Sequence, residues 1–183
     1  RLFHGWHQRT RMKINFHSCG SIVELLKDLV ECEVDVLNPI QLSSANMEPE
    51  KIRNIVGQNM VLYGGAFDCV QTPPSTDAEL VYQQVKKNIA ALAREGNYLF
   101  AGVHNTAATT PRSHIEAVLR AYQDMRNMYK NGPKKQCSIF SVNARSGARK
   151  GFPEPEVSAC ERALSRWLRM VSCRSARILR FRS

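Results

Sequence analysis

Asn15-Phe16-His17-Ser18-Cys19-Gly20 is the stretch on which the reading of this chain turns. It closes a short apolar run, Met12 to Phe16, and precedes a helical pattern that begins at Ser21. Side chains of a strand alternate with period two, so Lys13, Asn15, His17 and Cys19 share one face and Met12, Ile14 and Phe16 the other. The apolar face is expected to pack on helices. Imidazole and thiol then project together from the strand's carboxyl end, where the chemistry of parallel α/β sheets and barrels is found.

Outward from this stretch one pattern recurs four times: an apolar run, a loop, and a helical pattern with its own start signal. In the first unit Ser21 and Glu24 form a candidate capping box, and Ile22, Leu25, Leu26 and Leu29 form an apolar stripe. The second is Val34-Asp35-Val36-Leu37-Asn38-Pro39, followed by a short helix near Pro49–Val56 with Pro49 suited to a first helical position. The third is Met60-Val61-Leu62-Tyr63-Gly64-Gly65-Ala66, then a long helix from about Asp77. There Thr76 and Glu79 form a second candidate box, Val81, Val85, Ile89 and Leu92 form the stripe, and Gly96 is the stop. The fourth is Tyr98-Leu99-Phe100-Ala101-Gly102-Val103, then a helix from near Pro111 with Ile115, Val118, Leu119, Tyr122 and Met125 expected to face inward. Residues 1–11 read as the end of a preceding helix. Alternating strands and helices predict a parallel sheet, either half of an eight-fold barrel or a small open sheet.

At 183 residues one domain is the default, and the apolar and charged contents, 43% and 23%, are those of an ordinary globular protein. No apolar run approaches the roughly 20 residues that span a bilayer, and no leader pattern is present, so a cytoplasmic location is expected. The chain starts mid-pattern without an initiating Met and is expected to be a fragment. The net charge of +10 is not spread evenly: residues 1–130 carry 14 Lys+Arg against 13 Asp+Glu, residues 131–183 carry 12 against 3. The basicity therefore belongs to the tail and gives no general signal for nucleic acid. From Asn131-Gly132-Pro133 the βα pattern ceases. Residues 1–133 are thus expected to form the domain and 134–183 a basic extension, irregular or with one amphipathic helix. In that helix Val157, Cys160, Leu164, Trp167, Leu168 and Val171 would share a face. The six cysteines show no close pairing, which excludes a zinc ribbon or a redox dithiol read from spacing.

Four strand ends carry the candidate chemistry. His17-x-Cys19 suits zinc, since both ligands reach one ion from one strand face. A third ligand is sought at another strand end, either His104 or Cys69. Gly64-Gly65 serves either close approach of a substrate or a tight turn. Asp68 is a candidate general base, hydrogen-bond acceptor or metal ligand, with a turn cap as the plain alternative. Asn38 and Asn105 end their strands as candidate substrate ligands or loop braces. His114, in a helix's first turn, is expected on the surface.

Phe16-His17-Ser18-Cys19-Gly20-Ser21, Val34-Asp35-Val36-Leu37-Asn38-Pro39, Gly64-Gly65-Ala66-Phe67-Asp68 and Val103-His104-Asn105 resemble, in order and spacing, motifs of the uroporphyrinogen decarboxylase superfamily. The resemblance covers roughly residues 1–130 and implies the last four βα units of a (β/α)8 TIM-type barrel. It also implies two alternative chemistries. The methyltransferase-like members move a methyl group from a corrinoid protein to a small-molecule thiol at a zinc site written His-x-Cys, then Cys much later. His17 and Cys19 match its first two ligands, and the third position falls near His104, a departure from the strict pattern. The decarboxylases of porphyrin biosynthesis act on a tetrapyrrole without a cofactor, and the histidine of their last strand matches His104. The resemblance thus implies His17, Cys19 and His104 for metal and His104 for catalysis, while the residues themselves offer Asp68 as a further catalytic candidate and Asn38, Gly64, Gly65 and Asn105 as candidate substrate contacts. A partial barrel further implies a partner half, a homodimer or the tail as cover, or inactivity of the chain alone.

Overall fold

The computed structural model describes residues 2–94 and 96–131. The expected basic extension, 134–183, lies outside them. The elements run α1 (Leu2–Arg9), β1 (Asn15–His17), a 3₁₀ turn (Val23–Leu25) leading into α2 (Leu26–Glu31), and β2 (Val36–Asn38). They continue with α3 (Pro49–Val56), β3 (Val61–Tyr63), α4 (Ala78–Leu92), β4 (Tyr98–Leu99) and α5 (Arg112–Asn131). The four strands form one parallel sheet in the order β1-β2-β3-β4. Sequential parallel strands with a helix in each connection form an arc of a (β/α)8 barrel.

The register explains the two faces. Phe16 pairs with Leu37, Leu37 with Leu62, and Leu62 with Tyr98. Leu37, Leu62 and Tyr98 are buried beneath the helices, and Phe16 packs against the same core. The alternate positions, Asn15, Val36 and Val61, then His17, Asn38, Tyr63 and Leu99, form the opposite face and are half-buried or exposed. That face is the one a closed barrel turns inward. Among the described residues β1 and β4 each pair on one side only.

The helical stripes of the first and third units are buried as periodicity predicts: Ile22, Leu25, Leu26 and Leu29, and Val81, Val85, Ile89 and Leu92. Pro49 occupies the start of α3. Four local expectations are corrected. The Ser21–Glu24 box does not form, because the Ser21 hydroxyl donates to the Ala45 carbonyl (2.7 Å) and the helix starts as a 3₁₀ turn with no side-chain cap. The cap of α4 is Asp77, not Thr76; its carboxylate accepts from the Glu79 amide at 2.6 Å. Met12 lies off the apolar face and is 63% exposed, since β1 begins only at Asn15.

The fourth correction is the inward face of α5. Of the five residues expected inward, Met125 is buried and Val118 and Tyr122 are half-buried, but Ile115 and Leu119 are exposed, and His114, Ala117, Ala121 and Tyr129 are buried instead. Alanines at this seam let α5 approach α4 closely, and polar groups clasp its edge. Tyr82 donates to Asp124 (2.6 Å), Arg120 pairs with Glu79, and the Arg120 guanidinium lies 4.2 Å from the Tyr82 ring centroid.

Beneath the sheet Arg53 is fully buried. Its guanidinium donates to the carbonyls of Leu92, Gly57 (2.7 Å) and Asn97 (3.3 Å). Two of these carbonyls end α4 and α3, where the helix dipoles are negative and favour a cation. No helix among the described residues is long and apolar enough to cross a membrane.

Candidate functional site

The carboxyl ends of the four strands place the expected residues along one rim, and the loops there are stitched to one another. Gly20 N donates to Gln41 Oε1 at 2.8 Å, joining the first loop to the second. The Ser43 hydroxyl donates to Asp68 Oδ2 at 2.6 Å, joining the second to the third. Cys69 Sγ donates to the Asn105 carbonyl at 3.3 Å and accepts from the Ala107 amide at 3.4 Å, joining the third to the fourth.

At the β1 end His17 and Cys19 come together. His17 Nε2 lies 3.5 Å from Cys19 Sγ, and both side chains are exposed. Two zinc ligands with bond lengths of ~2.0 Å to nitrogen and ~2.3 Å to sulfur, at a tetrahedral angle, stand ~3.5 Å apart. The pair therefore has the separation of one edge of such a site before any ion is considered. On its other side, His17 Nδ1 lies 3.0 Å from Asn38 Oδ1.

The other expected residues are placed as follows. His104 is exposed in the segment after β4, next to buried Val103. Among the described residues no three His, Cys, Asp or Glu side chains form a group that could hold a metal ion, so two of the three expected ligands are gathered. Cys69, the other candidate for the third position, spends its sulfur on the Asn105–Ala107 backbone. Asp68 accepts from Ser43, from the Val70 amide (3.1 Å) and from the Gln71 amide (3.3 Å), the bonding of a loop cap.

Gly64 and Gly65 both have positive φ, 94° and 82°. A Cβ on Gly65 would meet the Ile40 carbonyl oxygen at 2.8 Å, and one on Gly64 the Gly102 oxygen at 2.9 Å. The glycine pair is thus required by the approach of the neighbouring strand exits, which supplies the tight-turn reading with a cause.

Two features were not legible at the sequence level. A cavity of about 600 Å³ opens between the loops that follow β2 and β3 and the flank of α4, lined by Ser43, Met47, Phe67, Asp68, Leu80 and Val81 among others. It does not include His17, Cys19 or His104. His114, expected on the surface, is instead 1% exposed. Its Nε2 donates to the Thr76 carbonyl at 2.7 Å, and its ring meets Phe67 edge-on with centroids 6.5 Å apart. A histidine three positions before Ala117 on the helix's small-residue face was the available signal.

The model of the family described as uroporphyrinogen decarboxylase (URO-D) matches residues 1–125. No curated protein and no solved structure gives a significant match.

Proposed function

Because this chain belongs to the uroporphyrinogen decarboxylase family, we propose that it comes from a zinc-dependent, methyltransferase-like member that moves a methyl group from a corrinoid protein to a small-molecule thiol. The observation that carries the reading is the 3.5 Å separation of His17 Nε2 and Cys19 Sγ on one strand exit. An imidazole nitrogen and a sulfur at that spacing are a zinc-type donor set. His17 and Cys19 would hold the ion, with His104 as the third ligand. When bound, the zinc lowers the pKa of a coordinated substrate thiol, so that a thiolate is available near neutral pH.

The chain's own residues supply the setting. His17 offers an unprotonated ring nitrogen and Cys19 a second donor from the same strand face. Gly64 and Gly65 let the neighbouring strand exits approach closely, and Asn105 offers a carboxamide to the substrate's polar end. The corrinoid protein would dock over the same rim.

The second reading is decarboxylation of a uroporphyrinogen, favoured by the family's own description. In it His104, exposed at the rim, would hydrogen-bond a substrate carboxylate. Metal analysis of the purified protein separates the two. Stoichiometric zinc that is lost in His17→Ala is the expected result. Trace metal, unchanged by that substitution, removes the zinc reading and directs the assay to decarboxylation.

A further inference from the structure

We propose that Asn38 is a positioning residue: it fixes the tautomer of His17 so that the Nε2 lone pair faces Cys19. The proposal deepens the zinc reading and rests on it only for its consequence for metal. Asn38 Nδ2 lies 3.5 Å from the Tyr63 carbonyl oxygen, which can only accept, so the amide nitrogen belongs at that end. The carboxamide oxygen is thereby turned to His17 Nδ1 at 3.0 Å. That oxygen is also acceptor-only, so the proton of the neutral ring must sit on Nδ1. Nε2 is left bare, and it is Nε2 that stands 3.5 Å from Cys19 Sγ.

The orientation is set from further back in the fold. The ladder β1-β2-β3 puts His17 opposite Asn38 and carries Leu37 opposite Leu62, so Asn38 falls beside Tyr63 in the next step. The Ser18 amide donates to the Asn38 carbonyl at 2.9 Å, which holds the backbones of the two strand exits in step. Both ends of the Asn38 carboxamide are engaged within the protein. Its carboxamide is therefore held in the orientation that aims the imidazole. Outer partners of this kind fix the ring and raise the affinity of a histidine ligand.

The test uses nitrogen-15 NMR of the histidine rings in the metal-free protein, with His17→Ala to assign the signals and zinc titration against a chelator in parallel. The wild type is expected to show the Nδ1-protonated tautomer at His17. Asn38→Leu should move the proton to Nε2 and weaken zinc by about 10- to 100-fold. Asn38→Asp, which keeps an acceptor at the same place, should restore both. If Asn38→Leu does not fold, Asn38→Ser, too short to reach Nδ1, gives the same comparison. An Nε2-protonated ring in the wild type, or an unchanged tautomer in the leucine and serine variants, overturns the positioning role. A wild type that shows the expected tautomer pattern but takes up no zinc upholds the positioning role and instead removes the zinc reading.

Discussion

Tyr98 has its ring under the sheet, is 1% exposed, and carries a hydroxyl with no hydrogen-bond partner among the described residues. Burial pushes its pKa well above the ordinary phenol value, and the nearby Arg53 opposes only part of that shift. Tyr129 is pushed in the same direction by the same causes. A buried hydroxyl left unpaired costs free energy that a phenylalanine does not, so Tyr98→Phe is expected to be neutral or stabilising by up to about 1 kcal/mol. Chemical denaturation at neutral pH checks this.

The sign with pH follows from the raised value. Below pH 10.0 both folded and unfolded phenols are protonated and the contribution is constant. Above it the unfolded chain loses the proton first, and stability falls as pH rises. Tyr98→Phe should flatten that alkaline decline; an equally steep decline in the variant would show that other groups cause it.

Gly65 is the second residue whose chemistry decides a local outcome. Its φ of 82° and the Ile40 oxygen at 2.8 Å from a would-be Cβ leave no room for a side chain. Gly65→Ala should cost at least ~2 kcal/mol from the left-handed backbone and the clash together, read as a lowered thermal midpoint.

Among the elements, α5 shows best how far sequence could lead. Its existence and starting point were legible from Pro111 and the apolar spacing, and the helix forms at Arg112–Asn131. Its buried face was not legible, because hydropathy ranks Ile115 and Leu119 above His114, Ala117 and Ala121. Packing reversed that order: small residues allow a close helix pair, and the His114 ring finds both a carbonyl and an aromatic edge. The cap of α4 was missed by one residue for a related reason, since Thr76 and Asp77 are both capping types and only backbone geometry chooses between them. Within the candidate site the His17–Cys19 pair was legible because period two alone places both on one face. The link to Asn38 was not, since it depends on interstrand register. Two contrasting substitutions test the corrected face of α5. Leu119→Lys should leave stability within about 0.5 kcal/mol, whereas Ala121→Leu should overpack the seam and cost ~1–3 kcal/mol. The reverse ranking in thermal melts would restore the face expected from hydropathy.

Arg53 joins elements in another way, as a single cation holding the carbonyl ends of α3 and α4 and the turn before β4. Arg53→Met keeps the volume but strands those carbonyls in the core. A loss of ~3 kcal/mol or more is expected, larger than for any exposed arginine of α5. Urea unfolding of Arg53→Met beside Arg112→Met makes the comparison direct, because the Arg112 side chain is 91% exposed and, among the described residues, pairs along its own helix with Glu116.

At the scale of the whole molecule, helices cover one face of the sheet and, among the described residues, none covers the other. Half-buried Val36, Val61, Tyr63 and Leu99 lie there beside His17 and Asn38. The backbone was readable from sequence because four repeats of strand and helix leave few topologies. The strand exits are tied in series: Gln41 holds the first to the second, Ile40 crowds Gly65, Ser43 holds Asp68, and Cys69 holds the Asn105 segment. A set of links in series behaves like a hoop. Tension applied at the first strand exit then has a route to the last, and occupancy beside residue 17 is expected to slow amide exchange around residue 104.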